Sequence, residues 1–215
     1  MGFDPEQDAL QKEETNRRIL DAGLSIFSEM SIDKVSMVNV ADKANIGVAT
    51  LYRYYRTKSE IVVAVGTHAW SNFITEYMPL INEDKATAAE ELEFFLDSFL
   101  ELYRNHKRLL CFNQFFNIYI RNESVSQKTL NSYNEMIDKL AMRFHRTYVK
   151  GEHDKTLCTE MNEGEMFLSI VHLMLAAVTR YAVGLVYEND GDSERELILL
   201  KDMLMREFVQ ETNMK

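Results

Sequence analysis

The sequence predicts an all-α protein of about nine helices, with a small N-terminal domain followed by a larger helical domain. Apolar residues recur at three- and four-residue spacing through almost the whole chain, as they do along one face of a helix. The 215 residues include only two prolines and eight glycines, which leaves little turn chemistry for a β-rich fold. Hydrophobic residues make up 46% and charged residues 27%, the usage of a folded chain long enough to bury a core.

Three helices are predicted in the first domain, of which the second and third are short. The apolar period from Ile19 to Met30 predicts a first helix over residues 14–30. Ser36 is a suitable N-cap for a second helix, "MVNVADKA". The sequence Asn45-Ile46-Gly47 then interrupts the pattern for too few residues to form more than a tight turn.

The third predicted helix covers residues 48–55, and its spacing directs Leu51 into the core of the three helices. Two short helices joined by a tight turn that contains glycine indicate a helix-turn-helix. We therefore predict a helix-turn-helix domain over residues 1–60 and a second domain over residues 61–215.

Ser or Thr followed three positions later by Glu or Gln has the pattern of a capping box and predicts a helix start. This pattern predicts helices after Thr57, Thr87, Ser124 and Ser193. Pro79 and Gly151 are predicted to end helices, and the segment 188–192, "ENDGD", to separate the last two.

The formal net charge is −10, which argues against a nucleic-acid partner unless the cations lie on one face. Residues 1–60 hold eight Lys and Arg against ten Asp and Glu, so they are less acidic than the remainder. From Gly47 to Lys58 there are three cations and no anion. The segment 45–61, "NIGVATLYRYYRTKSEI", is therefore a basic, tyrosine-rich part of an acidic chain.

The residue types in this segment suit contact with duplex DNA. The second helix of a helix-turn-helix enters the major groove by its N-terminal residues. Val48, Ala49 and Thr50 are small enough for close approach to base edges and thymine methyl groups. Lys58 precedes the free amides of the next helix and is expected to bind a phosphate. From the pattern alone, a solvated surface helix remains an equal alternative.

The stretch "ILDAGLSIF…VSMVNVADKANIGVATLYRYYRTKSEI" resembles the N-terminal domain of TetR/AcrR-type bacterial transcriptional regulators. The resemblance rests on T-L-Y-x-Y at residues 50–54, Ala41 with Ala44, and Lys58. Asn45 stands where the family usually has Gly, and Gly47 where it has Ser, a better helix cap. The resemblance implies DNA contacts from Ser36, Met37, Val38, Val48, Ala49, Thr50, Tyr52, Arg53, Tyr54 and Lys58.

The resemblance also implies a small-molecule pocket between the helices of the second domain. That domain is rich in Met and aromatic residues, which suit an adaptable cavity for an apolar or aromatic effector, although each one alone is more often part of a core. The predicted pocket residues are Trp70, Phe73, Tyr77, Phe99, Tyr103, Phe112, Phe115, Phe116, Tyr119, Phe144 and His172, with Asn113 and Gln114 as polar contacts.

The last two predicted helices, over residues 163–187 and 193–213, are expected to form a homodimer face. The predicted stripe comprises Phe167, Ile170, Val171, Met174, Val178, Tyr181 and Leu185, with the small residues Ala176, Ala177, Ala182 and Gly184 beside it. The alternative is that a monomer uses the stripe as its own core. A two-fold dimer would present its recognition helices roughly 34 Å apart to a palindromic operator.

No catalytic, metal or cofactor site is predicted, because the chain has no HExxH, no paired Cys and His spacing and no glycine-rich phosphate loop. The isolated Cys111 and Cys158 indicate a reducing, cytoplasmic location. No secretory signal is expected at the acidic N-terminus, and no membrane span is expected where His172 and Arg180 interrupt the most apolar stretch.

The expected function is a ligand-responsive DNA-binding regulator, and repression is the habit of the resembled family. The first alternative is a DNA-binding dimer that answers to a protein partner and has no small-molecule effector. A helical enzyme is a remote alternative.

Overall fold

The computed structural model describes residues 5–78, 85–185 and 192–210. These residues form nine α-helices and one 3-10 helix, and they contain no β-strand. The helices are α1 Pro5–Glu29, the 3-10 helix Ile32–Lys34, α2 Met37–Lys43, α3 Val48–Tyr54, α4 Lys58–Tyr77, α5 Ala88–Asn105, α6 Lys107–Glu123, α7 Gln127–Asp154, α8 Glu163–Ala182 and α9 Ser193–Phe208. The all-α prediction is confirmed.

The first helix begins earlier than predicted. It starts at Pro5, a residue suited to the first turn of a helix, and not near residue 14. Residues 6–14 are mostly exposed and polar, so they carry no apolar period from which a helix could be predicted.

The helix caps match the sequence predictions at some positions and differ at others. Thr87 caps α5 in a capping box with Glu90, as predicted. The hydroxyl of Thr57 accepts a hydrogen bond from the amide of Glu60, whose carboxylate accepts one from the amide of Arg56.

The predicted caps of α7 and α9 are wrong. Ser126, and not Ser124, accepts from the amide of Thr129 at the start of α7. Asp192, and not Ser193, caps α9 by accepting from two backbone amides. Several side chains near each start can accept a hydrogen bond, so sequence spacing alone does not select one.

Three helix ends differ from the prediction: α7 continues past Gly151, α8 ends at Ala182 and not near residue 187, and α9 ends at Phe208 and not near residue 213. Gly151 lies inside α7, where a Cβ atom would lie 2.8 Å from the Cβ of Leu157, so this glycine permits close packing and does not end the helix. The helix α4 ends at Tyr77, and Pro79 lies outside the described residues, as do residues 188–191 of the "ENDGD" segment. The last helix ends at Phe208, and residues 211–215 lie outside the described part.

The chain divides into two compact units. Unit 1 comprises residues 1–70 and 111–134, and unit 2 comprises residues 71–110 and 135–215. Residues 111–134 thus belong with the N-terminal helices although they lie far along the sequence. The boundary at residue 60 between two functional domains stays a prediction.

The core of unit 1 joins α1, α2 and α3 to the first turns of α4. A Cβ atom on Gly23 would lie 2.6 Å from Cγ2 of Val65, so this glycine allows α1 to pack closely against α4. The fully buried residues include Ile19, Phe27, Val40, Ala41, Leu51, Ile61 and Val62.

The core of unit 2 lies where α5, α8 and α9 pack on one another. Its fully buried residues include Leu92, Leu96, Met166, Ile170, Met174, Val178 and Leu197. Three of these, Ile170, Met174 and Val178, belong to the stripe predicted as a dimer face. They form the core of their own chain, as the monomer alternative anticipated, because the apolar period identifies a buried face without identifying what covers it.

Among the described helices, α8 alone has the length and mean hydropathy of a membrane span. The core helix of a soluble protein can have the same properties. Here α8 buries one face against α5 and α9.

Candidate nucleic-acid interface

The turn between α2 and α3 has the geometry of a helix-turn-helix. Asn45 has a φ of 53°, in the left-handed region that asparagine tolerates better than most residues. The amide of Ile46 donates to the carbonyl of Ala41, and Arg18 of α1 donates to the carbonyls of Ala44 and Asn45 at 2.7 and 3.0 Å. Sequence reasoning missed Arg18, because its partners are backbone carbonyls that leave no signal in the sequence.

The start of α2 is fixed by a capping box. The hydroxyl of Ser36 accepts from the amide of Asn39, whose side-chain oxygen accepts from the amide of Ser36. Met37 is buried, whereas Val38 is about half exposed. Of the three residues predicted to contact DNA at the start of α2, Ser36 and Val38 are exposed, whereas Met37 lies on the core side.

The third helix, α3, is anchored by one side chain. Leu51 is fully buried, as predicted, and Gly47 supplies no side-chain cap, as its substitution for serine implies. Ala49, Tyr52 and Arg53 lie on the exposed surface, with Tyr52 48% exposed. Anchoring through Leu51 thus directs a small residue, a phenol and a guanidinium outward together.

Two further predicted contact residues of α3 have partners within unit 1. The guanidinium of Arg53 donates to the hydroxyl of Thr50 at 3.2 Å. The hydroxyl of Tyr54 donates to the carbonyl of Lys12 in α1 at 3.3 Å. A cleft of about 430 Å³ lies between the two helices and is lined by Asp8, Gln11, Lys12, Thr15, Thr50, Arg53 and Tyr54.

The neighbouring Tyr55 is turned inward. Its hydroxyl donates to the side chain of Asn16 at 2.7 Å, and burial raises the pKa of Tyr55 to about 12. This tyrosine supports the packing of α1 on α3, and its exposed neighbours provide the polar surface.

Lys58 begins α4 and is held by two groups. Its Nζ donates to the carbonyl of Asp33 at 3.1 Å and lies 5.7 Å from the centre of the Tyr119 ring. Burial lowers the pKa of Lys58, against the opposing effect of Asp33 and Glu123. The lysine is half-buried. Because its ammonium group already contacts Asp33 and Tyr119, the predicted phosphate contact would come from a side chain with restricted movement.

Five of the eleven predicted pocket residues lie in unit 1. Trp70, Phe112, Phe116 and Tyr119 are buried, and Phe115 is half-buried. The rings of Phe112 and Phe116 are 5.4 Å apart, and Phe116 lies 4.8 Å from Tyr133. Phe112, Phe116 and Tyr133 therefore pack together as an aromatic cluster.

The remaining six candidates lie in unit 2 and fall into separate groups. Phe73 and Tyr77 stack at 5.1 Å, and both contact His106. Phe99 and Phe144 belong to a second aromatic cluster around Phe95. Tyr103 faces Tyr181, and His172 is exposed. The structure therefore distributes the eleven candidates over several clusters.

Unit 2 carries a surface groove of about 590 Å³. Lys201 in its wall is buried and donates to Glu93 and Asp97 at 3.0 and 2.5 Å. Tyr77 is the one predicted pocket residue in the wall, which consists of Glu76, Tyr77, Phe94, Asp97, Ser98, Leu100, Glu101, Arg104, Ile198 and Lys201.

Arg143 is a buried cation of unit 2 that sequence reasoning missed. It is 5% exposed, and its guanidinium lies 5.5 and 5.8 Å from the ring centres of Phe94 and Phe95. Burial lowers the pKa of Arg143 to about 10, and its Nη1 has no hydrogen-bond partner among the described residues. Its position three residues after Leu140, on the buried face of α7, is the signal that could have identified it.

Among the described residues, no group of three His, Cys, Asp or Glu side chains is placed to hold a metal ion. The candidate functional site of unit 1 is the exposed face of α3 with the cations near it.

Comparison with known proteins agrees with this geometry. Residues 19–65 match the family described as "Bacterial regulatory proteins, tetR family". The HTH-type transcriptional regulators SAR2658 and SAB2452 of two Staphylococcus aureus strains are 31% and 30% identical over 97 residues, which cover 45% of this chain and 52% of each relative. The chain thus spans about half the length of the curated relatives it matches.

Solved structures extend the likeness to the whole fold. FadR from Bacillus halodurans is 14% identical with a TM-score of 0.70, over 95% of this chain and 97% of that one. FadR from Bacillus subtilis, in complex with stearoyl-CoA, is 18% identical with a TM-score of 0.67, over 88% and 97%. A regulator from Saccharomonospora viridis, in complex with choline, is 15% identical with a TM-score of 0.69, over 93% and 100%.

The helix-turn-helix and the all-helical second part define a class, the helix-turn-helix transcriptional regulators. Within that class, residues 19–65 match the TetR family, and the fold of the chain matches that of a TetR-family protein from Vibrio parahaemolyticus.

Proposed function

We propose that this protein is a cytoplasmic, ligand-responsive repressor that binds a palindromic operator as a homodimer and is released by a small-molecule effector. The observation that carries the proposal is the outward face of α3. Leu51 is fully buried, while Ala49, Tyr52 and Arg53 are directed to solvent within the segment that matches the family. A small residue beside hydrogen-bond donors suits contact with base edges and phosphates in a major groove.

The electrostatics of unit 1 favour this partner despite the net charge of −10. Arg53, Arg56 and Lys58 lie within six residues of one another, and no acid occurs between Gly47 and Lys58. Phosphate contacts supply most of the sequence-independent affinity of such proteins, and that affinity falls steeply with salt. We therefore expect binding that is tight only at low and moderate ionic strength.

Dimerisation is proposed through α8 and α9, but by residues other than the predicted stripe. Leu168 and Leu173 on α8, and Leu199 and Met203 on α9, are each at least half exposed. Exposed apolar residues grouped on two neighbouring helices are unusual for a monomer's surface and suit burial by a second copy. Two helices from each chain would form a four-helix bundle.

The effector is proposed to bind in the helical region that follows the helix-turn-helix. The region's Met and aromatic content supports an apolar or aromatic ligand. Two neighbours in the comparison are described with bound small molecules, stearoyl-CoA in one and choline in the other. Regulation by a protein partner is the competing proposal. A thermal-shift screen with small molecules distinguishes the two, because a compound raises the melting temperature only if it binds the native protein.

The DNA-binding proposal is tested by selecting duplexes from a random pool with the purified protein at low ionic strength. Wild type is expected to enrich a palindromic sequence, and Arg53→Ala to weaken binding to it at least tenfold, because the variant has no guanidinium to make a charge-assisted hydrogen bond. Lys139→Ala is the matched control, since Lys139 is an exposed cation on α7. Equal effects of the two substitutions would reject α3 as the DNA-binding helix.

A further inference from the structure

The first two residues of α4 are tied to α6 within unit 1. Lys58 lies over the Tyr119 ring at 5.7 Å, and the hydroxyl groups of Ser59 and Tyr119 are 3.0 Å apart. Tyr119 is buried, which restricts the movement of its ring, and burial also raises the pKa of its phenol. The lysine predicted to bind phosphate is thus in contact with a rigid aromatic ring from a helix far along the sequence.

Lys58 keeps a donor for a further partner. Its ammonium group has three N–H bonds, and the carbonyl of Asp33 accepts one of them at 3.1 Å. In the cation–π contact an N–H bond of the ammonium faces the Tyr119 ring. At least one N–H bond therefore remains available for an oxygen of a phosphate.

Fixing the lysine in advance should strengthen phosphate binding. A free lysine side chain has many rotamers and loses that freedom when it binds. In this protein, the Asp33 carbonyl and the Tyr119 ring restrict the side chain before any DNA is present. The Tyr119 ring strengthens phosphate binding only by restricting the lysine side chain. The charge that attracts the phosphate is that of Lys58.

We propose that Tyr119 is a positioning residue for DNA binding, whose ring holds the Lys58 ammonium where it contacts a backbone phosphate. The inference rests on the proposed function, because it requires Lys58 to be a DNA contact. It assigns a role in DNA binding to a buried residue of α6 that the sequence predicted only as part of an effector pocket.

Glu123 provides an independent observation on the same helix. It lies one turn after Tyr119, is exposed, and acts electrostatically on both Lys58 and Tyr119. A carboxylate near a phosphate-binding lysine repels the phosphate. Neutralising Glu123 is therefore expected to strengthen DNA binding through the same lysine.

The test measures affinity for the duplex that wild type selects, by fluorescence anisotropy at several salt concentrations. Tyr119→Phe keeps the ring and is expected to bind within about twofold of wild type, whereas Tyr119→Leu is expected to bind about fivefold more weakly, the scale of one cation–π contact. Lys58→Ala should bind more weakly still and should lower the salt slope by about one for each phosphate that it no longer neutralises. In the Lys58→Ala background, Tyr119→Leu should have no further effect.

The double variant separates positioning from a general structural role. If Tyr119→Leu weakens binding equally with and without Lys58, or has no effect with Lys58 present, the inference is overturned. Melting temperatures show whether Tyr119→Leu remains folded. If it does not, Glu123→Gln decides, with an expected gain of about twofold that is absent from Glu207→Gln, an exposed control on α9.

Equal effects of the Glu123 and Glu207 substitutions would also overturn the inference. Failure of wild type to select any duplex would instead reject the proposed function, and the inference with it.

Discussion

The segment 19–65 and the part of the chain that follows it differ in how their structure is encoded. In the first region, helix starts, the turn and the buried anchor depend on residues close in sequence, such as Ser36 with Asn39 and Asn45 beside Gly47. In the second, the helices are equally regular, but the partner of each apolar face comes from a distant part of the chain. Local chemistry determines the helix caps and the backbone turn of the first region, whereas non-local packing determines which faces of the second region are buried.

The largest effect is expected at the anchor of α3. Leu51→Ala should lower the free energy of unfolding by about 2–5 kcal/mol, because it leaves a cavity where a fully buried side chain was. Tyr52→Ala is the neighbouring control, 48% exposed, and should change stability by less than about 0.5 kcal/mol while weakening DNA binding. Urea unfolding measures the stability of both variants. Similar losses of stability in the two variants would show that Leu51 does not anchor α3 more strongly than the exposed face does.

A non-local packing effect is expected at Gly151. Gly151→Ala places a Cβ atom 2.8 Å from the Cβ of Leu157, and the overlap should outweigh the gain in helix propensity, for a net loss of about 1–2 kcal/mol. The double variant with Gly151→Ala and Leu157→Ala keeps the Leu157 Cβ but removes its Cγ and Cδ atoms. Its stability shows how much of the overlap comes from those outer atoms. A rise in melting temperature for Gly151→Ala would mean that the glycine is a weak point of α7 and has no packing role.

The buried cation Arg143 tests the account of non-local packing in unit 2. Arg143→Met removes a buried charge whose Nη1 has no hydrogen-bond partner among the described residues, so stability should rise by about 1 kcal/mol. Arg146→Met is the control, on the same helix but exposed, and should stay within about 0.5 kcal/mol of wild type. A loss of stability in Arg143→Met would show that attraction to Glu91 outweighs the cost of burial.

The smallest effect is expected at the cap of α3. Gly47 has a φ of −68°, which any residue adopts, and a Cβ there meets no atom closer than 3.9 Å. Gly47→Ser should therefore add a side-chain cap and gain about 0.3 kcal/mol. Amide hydrogen exchange in α3 measures so small a gain. Faster exchange in the variant would contradict a purely local account of this helix.

The sequence was sufficient to predict the fold class, the turn, and the burial of Leu51, because each depends on local spacing or backbone conformation. It was not sufficient to predict that Ile170, Met174 and Val178 are core, since periodicity does not identify the covering partner. The caps of α7 and α9 were misassigned among adjacent polar residues.

The contact of Lys58 with Tyr119 joins positions sixty-one residues apart, and no spacing rule connects them. Arg18, which binds two carbonyls of the turn, was missed for a related reason. Which residues contact DNA or an effector stays a prediction for all of the named positions.

The central claim is that the exposed face of α3 binds duplex DNA. The most direct measurement is the affinity of the purified protein for duplexes drawn from a random pool, followed as salt is raised, with the number of chains per duplex determined by sedimentation. The account predicts two chains on a palindromic duplex, with affinity that falls steeply with salt and is weakened by Arg53→Ala. The absence of binding to every duplex at low ionic strength would contradict it.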